Sequence, residues 1–503
     1  MAGNWMIYPS SSNSSDRQKF EVLVTAEHAW PALERLVLEA QDEVIASFRI
    51  FDFSTQLIST NAKAVGETWA DLVADAVRRG VTVRIVVSDF DPILAAELHE
   101  IAMRTASQAD ELSESLGDDL AGKLRVHVAM HPAKVGAVPQ LAFFPAVWRK
   151  LQKLSRKRRE AAVGSDDSPK PPSLYPVSHH QKLAVIDRNV LYIGGLDLNT
   201  RRYDTPNHDL PSHLTWADVQ VVVRGPEAEE AAAHLDSFLL EIENADCQTE
   251  FPHISRTLSA PRRFGFWAVS PKTLIKEIEE DHLAAFERAQ KLIYIESQFL
   301  RSTVIADGLV RAAERNPDLT LITVLPALPE DVAFDGNRGL DARYGMSLQA
   351  DALKKITAAF GERSCIASPV KQVFAARDAP SVLQGSPVIH LHSKVLITDQ
   401  SFALVGSANL NGRSMRWDTE AALRITDPGR ISTLWETLAR HWWRDHLTET
   451  MLDPKLALQA WKEEITRNRV RRPEARLGYL VPHEADKMEE LHQPVPGATE
   501  NIV

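Results

Sequence analysis

Apolar and polar positions follow two rhythms along this chain. Residues 44–50 form a compact apolar run with β-branched members, which predicts a strand. Residues 68–79 instead place Trp69, Leu72, Val73 and Val77 at helical spacing; Gly80 ends that helix and 81–87 follows as a β-branched strand. A further strand fits 124–130. The scheme returns in the C-terminal half, with strands over 292–295 and 319–325 and helices over 304–315 and 348–360, the last stopping at Gly361. Gly and Pro cluster around 385–387, ahead of another strand pair. Alternation of this kind predicts an α/β layered fold. Its return after about 210–250 residues predicts a duplicated unit, since solenoid repeats run only about 20–50.

Two segments stand outside the alternation. Residues 161–173 read as a flexible, Pro-rich loop. From about Pro428 the chain reads as a helical tail, with Trp435, His441, Trp442 and Trp443 as packing surface; beyond Arg471 it turns polar, with scattered prolines, and is expected to be a loosely packed wrap. The expected division is 1–226, 227–427 and a tail over 428–503.

Composition narrows the class. With 503 residues, 44% hydrophobic and 25% charged, the chain has ample core, which excludes wholesale disorder, collagen and a disulfide scaffold. Cys247 and Cys365 form no metal-spaced pair and read as plain thiols in a reducing compartment. The net charge of −11 speaks against a dedicated nucleic-acid binder, although local patches outweigh averages. Residues 1–15 show no basic start followed by an apolar core, so no secretory signal is read there. Residues 135–148 are too short, and carry Pro139 and Pro145, to span a bilayer. The expectation is a cytoplasmic or peripheral membrane protein and a monomer, with leaderless export compatible.

The sharpest signal is a string that occurs twice. His180-Gln181-Lys182, Asp187 and the run from Gly194 through Asp197 to Asn199 match His392-Ser393-Lys394, Asp399 and the run from Gly406 to Asn411 at one offset. Residues i and i+2 of an extended chain share a face, so each histidine projects with its lysine. The Gly-rich turn after each second strand admits a ligand close to backbone, with Asn199, Ser407 and Asn409 able to add hydrogen bonds. Two imidazoles and two ammonium groups suit an anion and supply a nucleophile plus a general acid. A lone HxK is usually a surface pair; two copies in register are not.

These residues resemble the phospholipase D superfamily, whose hallmark is HxKxxxxD followed by a G-[GS] turn, present twice. Tyr294 to Phe299 and the Trp216-Ala217-Asp218-Val219 stretch also resemble family elements, so the likeness covers roughly 40–425. It implies two α/β/α sandwich domains of one type about a pseudo-twofold axis, with one active site at their interface. It implies a phosphohistidine mechanism with His180 as nucleophile, His392 as acid/base, and Lys182 and Lys394 on the nonbridging oxygens. Asn199, Ser407, Asn409 and Asn411 would bind the phosphate, and no metal or other cofactor is needed. Glu420, 28 residues after His392, is expected to orient His392. Asp204 is the candidate for His180, with Asp209 open. Asp187 and Asp399 are expected to brace the hairpins, and Asp197 to point away from the phosphate or receive a hydroxyl.

The implied activity is hydrolysis of a glycerophospholipid to phosphatidic acid and a free alcohol. Competing readings are phosphatidyl transfer, as in cardiolipin or phosphatidylserine synthesis, then a nuclease, then a phospholipid-binding scaffold without turnover. From Leu141 to Arg159, aromatic and aliphatic residues sit beside seven basic ones, a composition suited to an anionic membrane surface or to a packed helix with a basic end. His179 is expected to face away from His180, His390 either to line the pocket or to pack, and Trp442 and Trp443 to pack the tail.

Overall fold

The computed structural model describes residues 20–484 apart from 155–172, 248, 264, 330–332, 334–338, 378 and 380, together with Glu500. The expectations for residues 1–15, for the basic run 156–159 and for nearly all of the loop 161–173 lie outside the described residues.

Two large sheets hold the molecule together. The first contains β1 (Phe20–Val24), β2 (Glu43–Phe48), β3 (Thr82–Ser88), β4 (Leu124–Ala129), β5 (Leu183–Ile186), β6 (Val190–Gly194) and β7 (Val219–Arg224), in the order β1-β7-β6-β5-β2-β3-β4. The second contains β8 (Ile254–Ala260), β9 (Lys272–Lys276), β10 (Leu292–Ser297), β11 (Thr320–Val324) and β12 (Ser364–Pro369). A small separate ribbon, β13 (Val382–Leu383) with β14 (Ser386–Pro387), precedes β15 (Lys394–Thr398), β16 (Phe402–Gly406), β17 (Glu420–Ile425) and β18 (Leu480–Pro482). The second order is β18-β12-β11-β10-β15-β16-β17-β8-β9. Its inner run from β8 to β12 repeats the first sheet strand for strand, with β9 and β18 added at the edges. The duplication read from the sequence is thus a duplication of topology.

Helices cover the sheets at equivalent places. Trp69–Arg78 buries Trp69, Leu72, Val73 and Val77, and Asp71 accepts hydrogen bonds from the Thr68 backbone and hydroxyl at its start. Pro226–Asn244 follows β7 as Pro428–Trp443 follows β17, each with Pro in its first turn, where the missing N–H costs nothing. One apolar core runs through both halves, joining Val221 and Phe238 to Tyr294, Val405, Trp435 and Trp461. The opening of the tail is therefore the second member of a repeated helix pair.

The segment beyond Arg471 differs from the loose wrap expected of it. Ala367, Ser368 and Pro369 of β12 pair antiparallel with Pro482, Val481 and Leu480 of β18, while the Tyr479 amide donates to the Trp442 carbonyl at 2.9 Å. The reason is the apolar Tyr479-Leu480-Val481 run, which buries itself and closes an otherwise open sheet edge. Cys247 and Cys365 are free thiols.

The two matching hairpins turn alike. Asp187 and Arg188, and again Asp399 and Gln400, take positive φ in consecutive positions, the geometry of a two-residue turn that matches strand twist. The Asp187 carboxylate accepts from the backbone amides of Gln41, Asp42 and Glu43 at 2.8–3.0 Å. Asp399 accepts from those of Gln290, Lys291 and Leu292 at 2.5–2.9 Å. Each carboxylate fastens its hairpin to the entry of the neighbouring strand, at the end remote from the histidines.

Candidate active site

The strands β5 and β15 begin at Leu183 and Lys394, so His180 and His392 stand just before them. The extended chain read at the two motifs thus becomes regular strand only after each histidine. The reason lies across the interface: the His180 amide donates to the Thr419 carbonyl and the His392 amide to the Ala217 carbonyl, both at 2.8 Å. Each motif leaves its own sheet to bond with the opposite half.

That crossing decides which carboxylate holds which histidine. Nδ1 of His392 lies 2.6 Å from Asp218 of the first half. Nδ1 of His180 lies 3.0 and 3.1 Å from the two oxygens of Glu420 in the second. Glu420 therefore belongs to His180, not to His392 as the spacing implied. Asp204 does not reach His180 either: its carboxylate is bound to Nδ1 of His208 at 2.6 Å and to the Trp216 amide at 2.6 Å. Asp209, the alternative, is exposed on the same loop.

Lys394 Nζ lies 2.9 Å from His392 Nδ1 and donates to the His392 carbonyl, while Lys182 donates to the His180 carbonyl at 2.5 Å. Asp197 is turned from the cleft: it accepts from the Ile50 amide at 2.9 Å and stands 3.6 Å from Lys182. Burial, reinforced by Lys182 and Arg49, holds His180 well below its ordinary pKa; burial, with Lys394 and Arg202, does the same for His392. Burial likewise lowers both lysines and raises Asp218 and Glu420.

His180 and His392 open on one cleft of about 740 Å³. Asn409 and Asn411 line it, and Asn411 also caps the helix Gly412–Arg416 by accepting from the Ser414 amide at 3.0 Å. Ser407 instead donates to Glu420, so it supports the carboxylate behind His180. Asn199 accepts from the Arg201 amide at 3.0 Å and lies 3.4 Å from Asp52; neither it nor Ser407 lines the cleft. His179 faces Thr419 at 2.9 Å and packs against His131 and Phe238, while His390 packs on Trp216. Trp442 and Trp443 are buried, and Trp442 donates to Glu296 at 2.7 Å.

Sequence reasoning missed Asp218 and the guanidinium groups of Arg49, Arg202, Arg301 and Arg413 that line the cleft. Asp218 carried a signal, because it precedes β7 as Glu420 opens β17. Arg49 and Arg301 carried none, whereas Arg202 and Arg413 stand just after Asn199 and Asn411 of the repeated run.

The chain is similar to several known proteins. A family model described as "Cardiolipin synthase, PLD-like domain" matches residues 283–442. Phospholipase D1 of Schizosaccharomyces pombe is 22% identical over 375 residues, covering 54% of this chain and 27% of the relative. Phospholipase D1 of Saccharomyces cerevisiae is 24% identical over 351 residues, covering 51% and 21%. The chain thus spans about a quarter of the length of these two relatives. The crystal structure of phosphatidylserine synthase from Haemophilus influenzae Rd KW20 superposes with a TM-score of 0.52 at 12% identity, covering 89% of this chain and 92% of that one.

Proposed function

The chain belongs to the phospholipase D superfamily, and on that premise we propose that it is a phospholipase D-type phosphodiesterase, releasing phosphatidic acid and a free alcohol from a glycerophospholipid. One observation carries the reading. Two imidazoles, each held at Nδ1 by a carboxylate from the opposite half and each beside a lysine, open on a common cleft.

Holding Nδ1 fixes the tautomer and leaves Nε2 as the reacting nitrogen. His180 Nε2 attacks phosphorus while the bond to the leaving alcohol breaks and His392 gives that oxygen its proton. Water then gives a proton to His392 and attacks phosphorus, the phosphorus–nitrogen bond breaks, and phosphatidate leaves. The depressed pKa of His180 keeps it unprotonated for attack. The incoming phosphodiester brings the negative charge that allows His392 to carry a proton. Lys182 and Lys394, with Asn409 and Asn411, serve the nonbridging oxygens.

The lipid approaches from a membrane surface. Leu141, Phe143, Phe144 and Trp148 are exposed on the helix Ala137–Lys153, beside Lys150 and Lys153. Phe266 and Trp267, 68% and 80% exposed, join them from the second half, where the Phe266 carbonyl accepts from the Val138 amide at 2.9 Å. Lys150 also lines the cleft, so this face borders the site. Apolar side chains among cations suit an anionic bilayer. No helix among the described residues is long and apolar enough to cross a membrane.

The test is incubation of the pure protein with mixed phospholipids, with and without a short primary alcohol, with products followed by mass spectrometry. Phosphatidic acid, replaced in part by the phosphatidyl alcohol when alcohol is present and lost in His180→Ala and His392→Ala, supports the reading. Predominant transfer to a lipid alcohol would make the enzyme a phosphatidyltransferase. Activity on DNA alone overturns both.

A further inference from the structure

The two imidazoles are held by unequal means. Asp218 reaches Nδ1 of His392 at 2.6 Å, whereas Glu420, one methylene longer, stands 3.0 and 3.1 Å from Nδ1 of His180. The longer side chain has one more torsion to fix before its carboxylate is placed. Gly195 and Ser407 occupy matching positions after the two motifs, and they treat these carboxylates differently. Gly195 leaves room for Asp218, since a Cβ there would stand 2.2 Å from an Asp218 oxygen. Ser407 instead donates its hydroxyl to Glu420. The short carboxylate is placed by close packing and the long one by hydrogen bonding.

The backbone beside Glu420 carries the same distinction. Thr419 forms a parallel bridge with His179, and Ala217 the equivalent bridge with Leu391. In the first, the Thr419 amide donates to the Ser178 carbonyl at 3.0 Å and the His180 amide to the Thr419 carbonyl at 2.8 Å. In the second, the Ala217 amide donates to the His390 carbonyl and the His392 amide to the Ala217 carbonyl, both at 2.8 Å. Leu391 and Ala217 add no polar side-chain atom to their bridge. His179 and Thr419 do, with Nδ1 of His179 lying 2.9 Å from the Thr419 hydroxyl oxygen. His179 is itself fixed, because its amide donates to Ser88 Oγ at 3.1 Å and its buried ring packs on His131 and Phe238. Burial holds its pKa well below the ordinary histidine value, so the ring is a neutral hydrogen-bonding partner and not a further cation beside His180.

We propose that His179, acting through Thr419, is a positioning residue for the nucleophile: their hydrogen bond fixes residue 419 and so sets the approach of the next residue, Glu420, to Nδ1 of His180. The role of His180 as nucleophile rests on the phosphodiesterase reading, whereas the placement of Glu420 is measurable without turnover. An imidazole held at Nδ1 by a carboxylate presents Nε2 in one tautomer and one direction. Looser placement of the carboxylate lowers the fraction of encounters with phosphorus that are aligned for attack.

Three variants of the full chain test it. Thr419→Ala deletes the hydroxyl and Thr419→Ser keeps it. His179→Leu combined with Thr419→Ala copies the Leu391–Ala217 pair already packed in the other half, and so guards against a failure to fold. Proton NMR of protein labelled with nitrogen-15 histidine needs no substrate. The Nδ1 proton of His180, assigned by its absence from His180→Ala, is expected to exchange with solvent about tenfold faster in Thr419→Ala and in the double variant. In Thr419→Ser it stays within about twofold of the parent, and the Nδ1 proton of His392 is unchanged throughout. Rapid mixing with a monomeric short-chain phospholipid then reads the chemistry. The adduct on His180 is expected to form about tenfold more slowly in Thr419→Ala, equally so in the double variant because one bond is lost in both, and near the parent rate in Thr419→Ser. The half-saturating lipid concentration stays within about twofold in all three, since the pair acts on alignment and not on binding. Adduct formation at the parent rate in Thr419→Ala overturns the proposal. Equal acceleration of exchange at His180 and His392 also overturns it, because that marks general loosening. Selective exchange at His180 without any lipid turnover overturns the phosphodiesterase reading and leaves the placement of Glu420 by His179 standing.

Discussion

Asp218 holds Nδ1 of His392 across the interface at 2.6 Å, and Glu420 returns the contact to His180 at 3.0 Å. Each half thereby supplies the orienting group for the other half's imidazole. A single intact half has no oriented histidine.

Neutralising either crossed carboxylate removes the tautomer lock. Asp218→Asn and Glu420→Gln are each expected to lower kcat by about 10²–10⁴-fold, the range seen when an orienting acid is lost. Asp204→Asn, acting only on the His208 side, is expected to cost less than tenfold in kcat. Steady-state kinetics on the three variants checks this; an Asp204 effect as large as the others would contradict the assignment.

The hairpin braces serve stability. Asp399→Ala strips acceptors from three amides at the entry of β10, and Asp187→Ala does so at β2. Each is expected to cost about 2 kcal/mol, because half-exposed amides regain only part of their bonding from water. Urea titration reads this as a lower midpoint, with kcat of the folded fraction within threefold of the parent.

Stability depends on pH with a definite sign. Burial lowers His131 and His483 to about 4 and His234 to about 3, from an ordinary 6.5. Below pH 6.5 the unfolded chain binds protons that the folded one refuses, so unfolding gains free energy as pH falls. Each such histidine contributes on the order of 1 kcal/mol of lost stability per pH unit between about 6.5 and its folded value. These rings are expected to make thermal melts drop steadily from pH 6.5 to 5. A flat profile through that window would contradict the burial of these rings.

Vesicle binding tests the approach surface. Trp267→Ser and Leu141→Ser are each expected to weaken binding to anionic vesicles about tenfold, from loss of about 1–2 kcal/mol of apolar insertion. Sedimentation with phosphatidylglycerol vesicles reads the change, and the same variants keep their kcat/KM on monomeric short-chain lipid. Unchanged sedimentation would remove this face from the account.

Much of this was legible because it is local. The His–Lys pairs, their aspartates and the Gly-rich turns recur at fixed short offsets, and the periodicities located β2, β3 and β4 of the first sheet and β10 and β11 of the second. The carboxylate wiring was not legible from the histidines, because it crosses between halves and the intervening loop differs in length. Asp218 lies 38 residues after His180, while Glu420 lies 28 after His392. Anchoring on the histidines sets Glu420 opposite His208, between Asp204 and Asp209, which is why Asp204 looked right. Anchoring on the strands that follow, Val219–Arg224 and Glu420–Ile425, brings Asp218 forward instead. The closing strand Leu480–Pro482 was hidden by its brevity within a polar, proline-bearing stretch.

The central claim is that both halves build one site in which His180 takes the phosphatidyl group. Rapid mixing with substrate, a quench in neutral denaturant and peptide mass spectrometry test it directly. The account predicts an adduct on His180 in the parent enzyme that forms more slowly in Glu420→Gln, with none in His180→Ala. An adduct on His392 in the parent enzyme, or steady turnover in His180→Ala, would contradict it.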